Sequence, residues 1–126
     1  MNMLLAVACG GALGAVARHL VSGQVMRWVG SGFPWGTLTV NVLGSFFLGV
    51  LLEYFALRWS ATQEMRGFLA VGLLGGFTTF SAFSLDAVLL LERGSLGPAF
   101  AYIVGNVVLS ICGLFAGLVI FRQVLA

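Results

Sequence analysis

The sequence contains no lysine and few charged residues of any kind: six arginines, four acidic residues and one histidine among 126 residues. Apolar residues make up 60% of the chain, which is more than a soluble protein of this length can bury. The formal net charge of +2 is too small for a nucleic-acid-binding surface, so no nucleic-acid partner is expected. These shortages indicate an integral membrane protein, surrounded by the lipid bilayer.

Side chains for metal chemistry and catalysis are equally scarce. Cys9 and Cys112 are far apart, and each lies inside an apolar segment, where a small core residue is the usual role of cysteine. A single histidine and no cysteine cluster leave no metal-site spacing, and without lysine there is no phosphate-binding Gly-Lys loop. The first arginine follows the apolar stretch, so the N-terminus lacks the positive segment of a signal peptide. We therefore expect neither an enzyme nor a cleaved leader.

Long uncharged runs dominate the chain instead. Three of them, 28–52, 67–85 and 94–121, are long enough to cross a hydrocarbon core of about 30 Å as helices. The first run, 1–17, is shorter but can continue past Arg18 toward the membrane surface. The sequence therefore predicts an all-α integral membrane protein with four transmembrane helices. The expected helices are, approximately, 3–27, 35–58, 65–92 and 97–123. The short linkers leave no room for a soluble domain, so 1–126 is expected to be one transmembrane domain.

The arginines are almost evenly divided between the two sides of such a bundle. Three fall on the side of both termini: Arg58, Arg66 and Arg122. Two or three fall on the other side: Arg27 and Arg93, with Arg18 if it reaches that interface. Orientation in the membrane follows the Lys/Arg asymmetry of the loops, and here there is almost none. The chain is expected to insert both ways and to pair with its inverted copy, unless a feature beyond these charges favours one orientation.

The middle of the third helix holds residues that disfavour a helix. Gly75 and Gly76 weaken it, while Thr78 and Thr79 can cap a new start. A break inside a membrane must turn its freed backbone groups toward protein, ion or water, as in the broken helices of transporters. The alternative is a close helix–helix contact at Gly72 and Gly76. The two can hold together, but packing alone does not call for two threonines directly after two glycines. We therefore predict a break near the midplane.

Polar residues spaced by four also mark one face of each of two neighbouring helices. The two stripes are Thr37, Asn41 and Ser45 on the second helix, and Tyr102, Asn106 and Ser110 on the fourth. An asparagine in the bilayer is costly and normally faces the bundle or a water-filled path. Hydrogen bonds that only hold the bundle together are the alternative. Two such stripes, with Ser81 and Ser84 on the third helix, exceed what four short helices need for that purpose.

The lining that these residues would form suits an anion. The acidic residues lie toward helix ends or near loops: Glu53, Glu64, Asp86 and Glu92. Hydroxyls, amides and phenylalanine edges remain, and ring edges carry partial positive charge. Phe80 and Phe83, three residues apart, would usually be core residues. Their place among Ser81 and Ser84, just after the predicted break, favours a role in lining an ion path.

Four stretches of the chain together resemble a known family. They are "GGALGAVAR" at 10–18, "GTLTVNVLGSFFLG" at 36–49, "GLLGGFTTFSAFS" at 72–84 and "GNVVLS" at 105–110. This set is similar to the Fluc-type bacterial fluoride channels, also called CrcB proteins. The similarity reaches all four predicted helices, and the string "GGFTTFSAFS" is highly specific.

The resemblance implies an antiparallel, dual-topology homodimer in the bacterial inner membrane. Two pores would passively export fluoride that enters the cytoplasm as hydrofluoric acid. A structural sodium ion at the dimer centre would be bound by the backbone carbonyls of Gly75 and Thr78. Phe80 and Phe83 match the phenylalanines whose edges face fluoride, and Arg18 matches an arginine near a vestibule. The remaining fluoride-pathway positions that the resemblance implies are Asn41, Thr79, Ser81, Ser84 and Ser110.

Three positions depart from the pattern of some relatives. Ala82 and Leu114 stand where some relatives carry a hydroxyl residue, and Asp86 stands where glutamate is common. The polar track is therefore expected to differ in detail at its outer part.

Two other classes of protein compete with a channel. A small proton-coupled multidrug exporter also has four helices and dual topology, but it needs a carboxylate deep in the first helix, where this chain has none. A non-transporting assembly protein would explain the glycine pairs Gly10-x-x-x-Gly14 and Gly113-x-x-x-Gly117. It would not explain the two asparagine stripes. Fluoride efflux from liposomes separates the three functions.

Overall fold

Four membrane-spanning helices make up the fold. The structure is a computed structural model that describes residues 2–30 and 32–125, and every regular element in these two ranges is helical. Three spans are continuous: α1 (Met3–Val29), α2 (Trp35–Leu57) and α6 (Leu96–Leu125). The third span, Gln63–Glu92, is composite. All four are long and apolar enough to cross a membrane, so the predicted all-α class with four spans is confirmed.

The third span is built from four pieces. These are α3 (Gln63–Arg66), a π-helical segment (Gly67–Leu74), α4 (Gly75–Phe77) and, after the break, α5 (Phe80–Glu92). At the end of the π segment the Gly75 N–H donates to the Ala70 carbonyl, five residues back. The predicted break is confirmed, and it lies near the middle of the span Gln63–Glu92. The sequence GFLAVGLL does not predict a π-helix, because the same apolar residues are equally compatible with an α-helix.

The first and third spans pack closely through glycines. A Cβ atom on Gly10 would meet the carbonyl oxygen of Phe68, and one on Gly76 would lie 2.8 Å from the carbonyl oxygen of Gly11. Gly72 similarly lies against Gly10. The close contact that was the alternative to a break therefore exists together with the break.

The second and fourth spans form a matching pair. A Cβ atom on Gly117 would meet the carbonyl oxygen of Phe46, and one on Gly49 would meet that of Leu114. Small residues let the backbones approach in this way, which is how helices associate where lipid gives no hydrophobic driving force. The pair aligns Asn41 on α2 with the polar stripe of α6.

A buried cluster fixes α5 against α6 beyond the break. Its members are Phe83, Ala87, Leu90, Ala99 and Tyr102. Beside it, the carboxylate Oδ2 of Asp86 accepts two hydrogen bonds, from the Thr37 hydroxyl at 2.8 Å and from the Tyr102 hydroxyl at 3.0 Å. These bonds join α2, α5 and α6 at one end of the bundle. They fix the rotation of α5 about its own axis, and this rotation sets the direction of the side chains at the start of α5.

Candidate ion pathway beside the helix break

The break is a two-residue extended segment. Thr78 has φ −87° and ψ 160°, and Thr79 has φ −152° and ψ 123°. The Thr79 hydroxyl oxygen then caps the new helix by accepting the N–H of Ala82 at 3.1 Å. Threonine suits this N-cap position because its side-chain oxygen replaces a missing helical acceptor. The second threonine of the motif therefore starts α5, as its position in the sequence indicated.

Asn41 satisfies the backbone at the break from a neighbouring helix. Its Oδ1 accepts the Thr79 N–H at 2.7 Å, and its Nδ2 donates to the Thr79 carbonyl at 3.0 Å. Nδ2 also donates to Oδ1 of Asn106 at 3.0 Å. One buried amide thus links the break to α2 and α6, and the backbone of Thr79 is not left unpaired in the bilayer.

The break also redirects N–H groups away from two carbonyls. In a continuous α-helix the Thr79 N–H would donate to the carbonyl of Gly75, and the Ala82 N–H to that of Thr78. Here those two donors bond to Asn41 and to the Thr79 hydroxyl. Gly75 retains a 3.5 Å contact from the Thr78 hydroxyl. The two carbonyls have therefore lost their regular helical donors.

A cavity of about 240 Å³ lies beside the break and opens at the protomer surface. Its wall contains six of the predicted site residues: Asn41, Thr78, Thr79, Phe80, Phe83 and Ser110. Asn106 and Ser45 complete its polar lining. The cavity therefore combines two members of each predicted stripe with the start of α5.

Two buried polar atoms in this wall are unpaired within the described ranges. They are Nδ2 of Asn106 and the hydroxyl oxygen of Ser110. Leaving a buried polar group without a partner costs about 1–3 kcal/mol. Both groups can donate a hydrogen bond, and both belong to residues that line the cavity.

Phe80 and Phe83 have different environments, although their ring centroids are 5.3 Å apart. The Phe83 side chain is only 8% exposed and packs on the Tyr102 ring at a centroid distance of 5.3 Å. Phe80 is 76% exposed in the protomer. Phe83 is thus part of the core and of the cavity wall at once, whereas Phe80 stands at the open side of the cavity.

The remaining predicted residues lie near the cavity but do not line it. The Ser84 hydroxyl donates to the Phe80 carbonyl at 3.0 Å, within its own helix. The exposed Ser81 hydroxyl lies 3.3 Å from that of Thr79. Gly75 is exposed on the other side of the break. These three positions lie near the start of α5, and the wall of the 240 Å³ cavity is formed without them.

Arg18 on α1 contacts the third span beside the break. It is an interior residue of α1, and its Nε donates to the Gly76 carbonyl at 3.1 Å. It lines a second cavity of about 220 Å³ with His19, Ser22 and Thr37. Thr79 lines both cavities, so the two cavities adjoin at the break. Arg18 is therefore not a loop charge.

The sequence places Asn106 on a polar stripe but does not single it out as a site residue. The signal was present, because Asn106 is four residues before Ser110 and so lies on the same face. What the spacing could not indicate was the bond to Asn41, which selects Asn106 from the stripe. Within residues 2–30 and 32–125 no group of three or more histidine, cysteine or acidic side chains could hold a metal ion.

A broken span, a cavity lined with hydroxyls and amides, and two free donors define a membrane protein built for passage of a small solute. The chain belongs to the family described as CrcB-like protein, Camphor Resistance (CrcB), whose profile matches residues 5–118. It is 55% identical over 126 residues to the "Fluoride-specific ion channel FluC" of Rhodospirillum centenum, covering 100% of both chains. It is 54% identical over 123 residues to the protein of that name from Nitrobacter winogradskyi, covering 98% of each.

A third relative, from Agrobacterium fabrum, carries the same name and is 56% identical over 117 residues, covering 93% of this chain and 94% of its own. The relatives are named as ion channels, and the family is not one of enzymes. With four spans, the chain is a multi-pass protein of the bacterial inner membrane.

Proposed function

We propose that this protein is a fluoride-specific channel that passively exports fluoride from the cytoplasm. One observation carries the proposal: Nδ2 of Asn106 and the hydroxyl of Ser110 are buried donors without partners in the wall of one cavity. A hydrogen bond to an ionised acceptor is about twice as strong as a neutral one, so an anion offsets the cost of keeping these donors. The names of the relatives support fluoride as that anion.

The proposed pathway runs along the cavity wall. Asn41, Phe80, Phe83 and Ser110 line it, and Thr79 borders both it and the second cavity, where Arg18 supplies positive charge. Phenylalanine edges are weakly positive and can contact an anion while excluding cations. Ser81 and Ser84 would extend the track along α5. The pathway is formed mainly by neutral groups, which bind an anion weakly enough to let it leave.

The working unit that we propose is an antiparallel homodimer with two pores, each chain being one transmembrane domain. The open side of the cavity supports this assembly, because Phe80 is 76% exposed there and a second chain would enclose it. The near-equal division of arginines supports insertion in both orientations. Two opposed copies then meet across an axis in the membrane plane, close to the two breaks.

A structural sodium ion at the dimer centre is the third part of the proposal. The carbonyls of Gly75 and Thr78 fit it, because their regular helical donors bond elsewhere and a hard cation prefers oxygen ligands. Unpaired carbonyls in a bilayer each cost several kcal/mol. Sodium held by these carbonyls would supply fixed positive charge beside the breaks.

Efflux from liposomes tests the proposed function. Purified protein is reconstituted into vesicles loaded with potassium fluoride, and valinomycin is added while an electrode records external fluoride. We expect rapid fluoride release, no comparable release of chloride from chloride-loaded vesicles, and no requirement for a pH gradient. Release no faster than from protein-free vesicles would contradict a channel. A strict requirement for a proton gradient would favour the coupled exporter instead.

A further inference from the structure

We infer that Arg18 is a positioning residue, which holds the broken third span in the shape that binds the central cation. The inference rests on the proposed function, since it concerns the carbonyls assigned there to sodium. Its basis is the bond from Nε of Arg18 to the Gly76 carbonyl at 3.1 Å, which joins α1 to the last turn before the break.

Gly76 lacks its regular donor for the same reason as its neighbours. In a continuous helix its carbonyl would accept the N–H of Phe80, but the extended Thr78–Thr79 segment separates α4 from α5. Carbonyls at the end of a helix carry partial negative charge, so a cation placed there is stabilising. Arg18 therefore donates to one of the carbonyls that lack a helical donor at this helix end, and the others remain available to a ligand.

The approach of α1 makes this bond possible. The Gly11 carbonyl oxygen would lie 2.8 Å from a Cβ atom on Gly76, so only glycine lets the two backbones come this close. The guanidinium is half-buried at this contact, and its Nε–H has a fixed direction within the guanidinium plane. Arg18 can thus set the orientation of the Gly76 peptide, which directly follows the Gly75 carbonyl.

The break is then held from two sides. Asn41 on α2 fixes Thr79, at the start of α5, and Arg18 on α1 fixes Gly76, at the end of α4. The Gly75 and Thr78 carbonyls lie on either side of the Gly76 peptide. If one of the two supports is lost, the separation and direction of these carbonyls are no longer defined. Sodium binding should therefore depend on Arg18 even though the cation and the guanidinium do not bond to each other.

A competing role for Arg18 is attraction of anions into the second cavity. Substitution by lysine separates anion attraction from positioning of the break. Arg18→Lys keeps the positive charge, and so keeps anion attraction, but an ammonium lacks the fixed Nε–H direction. Arg18→Gln removes the charge as well. Arg27→Lys is the matched control, because Arg27 is also on α1 and bonds to Gln24 at the exposed end, and lysine keeps the loop charge that affects insertion.

The test measures sodium directly. Each variant is purified in sodium, exchanged into a sodium-free buffer, and analysed for sodium retained per dimer by atomic emission; the sodium concentration for half-maximal fluoride flux is measured separately. For Arg18→Gln we expect that concentration to rise roughly tenfold, as for one lost charge-assisted hydrogen bond. Arg18→Lys should shift it in the same direction by less, and Arg27→Lys should match the parent.

The possible results separate this inference from the proposed function. Sodium binding by Arg18→Gln that equals or exceeds that of the parent would overturn the inference, even if flux falls. Should Arg18→Gln fail to assemble, Arg18→Lys decides, and parent-like sodium binding by that variant would overturn it. A parent that retains sodium without conducting fluoride would contradict the proposed function and leave the sodium comparison valid. A parent that binds no sodium would overturn both.

Discussion

The side-chain amide of Asn41 bonds to both backbone groups of Thr79, a residue 38 positions away in the chain. The amide accepts the N–H at 2.7 Å and donates to the carbonyl at 3.0 Å. An extended residue in water would find these partners in solvent, but in a bilayer they must come from protein. Asn41 therefore makes the break possible and forms part of the cavity wall at the same time.

Replacing Asn41 should affect stability and flux together. Asn41→Leu leaves three polar groups without this partner: the Thr79 N–H, the Thr79 carbonyl and Oδ1 of Asn106. At about 1–3 kcal/mol for each unsatisfied group, the loss of stability should be several kcal/mol. The measurement is the midpoint of thermal unfolding in detergent, with Thr39→Val as the control on the same helix. An unfolding midpoint equal to that of the parent would show that the bonds to Thr79 are dispensable.

Ser110→Ala should separate function from stability. Its buried hydroxyl has no partner in the described part of the chain, so removing it costs no hydrogen bond and should leave the unfolding midpoint unchanged or slightly raised. Fluoride flux should fall, because one of the two free donors is lost. Cys112→Ala, on the exposed side of the same helix, serves as the control. A marked loss of stability with unchanged flux would make Ser110 a structural residue and remove it from the pathway.

Sequence patterns predict the spans and the break for a simple physical reason. Uncharged runs of membrane length admit few alternatives, and the pair Gly75-Gly76 followed by Thr78-Thr79 both weakens one helix and caps the next. The π segment is different, because eight apolar residues satisfy their backbone groups in either an α or a π pattern. The choice depends on packing against α1, which no local pattern contains.

The sequence also does not predict side-chain roles that depend on contacts with residues far away in the chain. Asn41 was placed on the pathway, but its two bonds to Thr79 required the relative rotation of α2 and α5. The sequence predicts the same role for Phe80 and Phe83, because their spacing of three places them on one helix face. The structure separates them, since the break sets the rotation at which α5 meets Tyr102 and only Phe83 reaches that ring.

The charge balance predicts how insertion can be biased. Arg18 bonds to Gly76 beside the break and is therefore not counted as a loop charge. The loop charges are then Arg58, Arg66 and Arg122 on the side of the termini, and Arg27 and Arg93 on the other side. A tag on the C-terminus should be accessible from both faces of the membrane. Ser60→Lys with Ala61→Lys adds two charges to one side and should shift accessibility to a single face. Flux should then fall, because antiparallel pairs become scarce. Accessibility from one face only in the parent would contradict dual insertion.

The two phenylalanines offer a test of what their rings contribute. Phe83 is 8% exposed and contacts Tyr102, while Phe80 is 76% exposed at the open side of the cavity. Isoleucine has similar bulk but lacks the weakly positive ring edge. If both rings served packing alone, Phe83→Ile would lower stability and Phe80→Ile would change nothing in the protomer. If the rings contact an anion instead, both isoleucine variants should lose fluoride flux.

We expect Phe80→Ile and Phe83→Ile each to abolish most fluoride flux, since neither aliphatic side chain can compensate the anion for lost water. Phe83→Ile should in addition destabilise the fold by roughly 1 kcal/mol, as a shape change in a packed core does. Methionine should be milder at both positions, because its thioether is polarizable and adapts its shape. Flux is measured per assembled dimer, so that a folding defect is not counted as a conduction defect, with Phe115→Ile as the exposed control on α6. Isoleucine variants that both conduct at the parent rate would make the two rings packing residues, and the pathway would have to lie elsewhere.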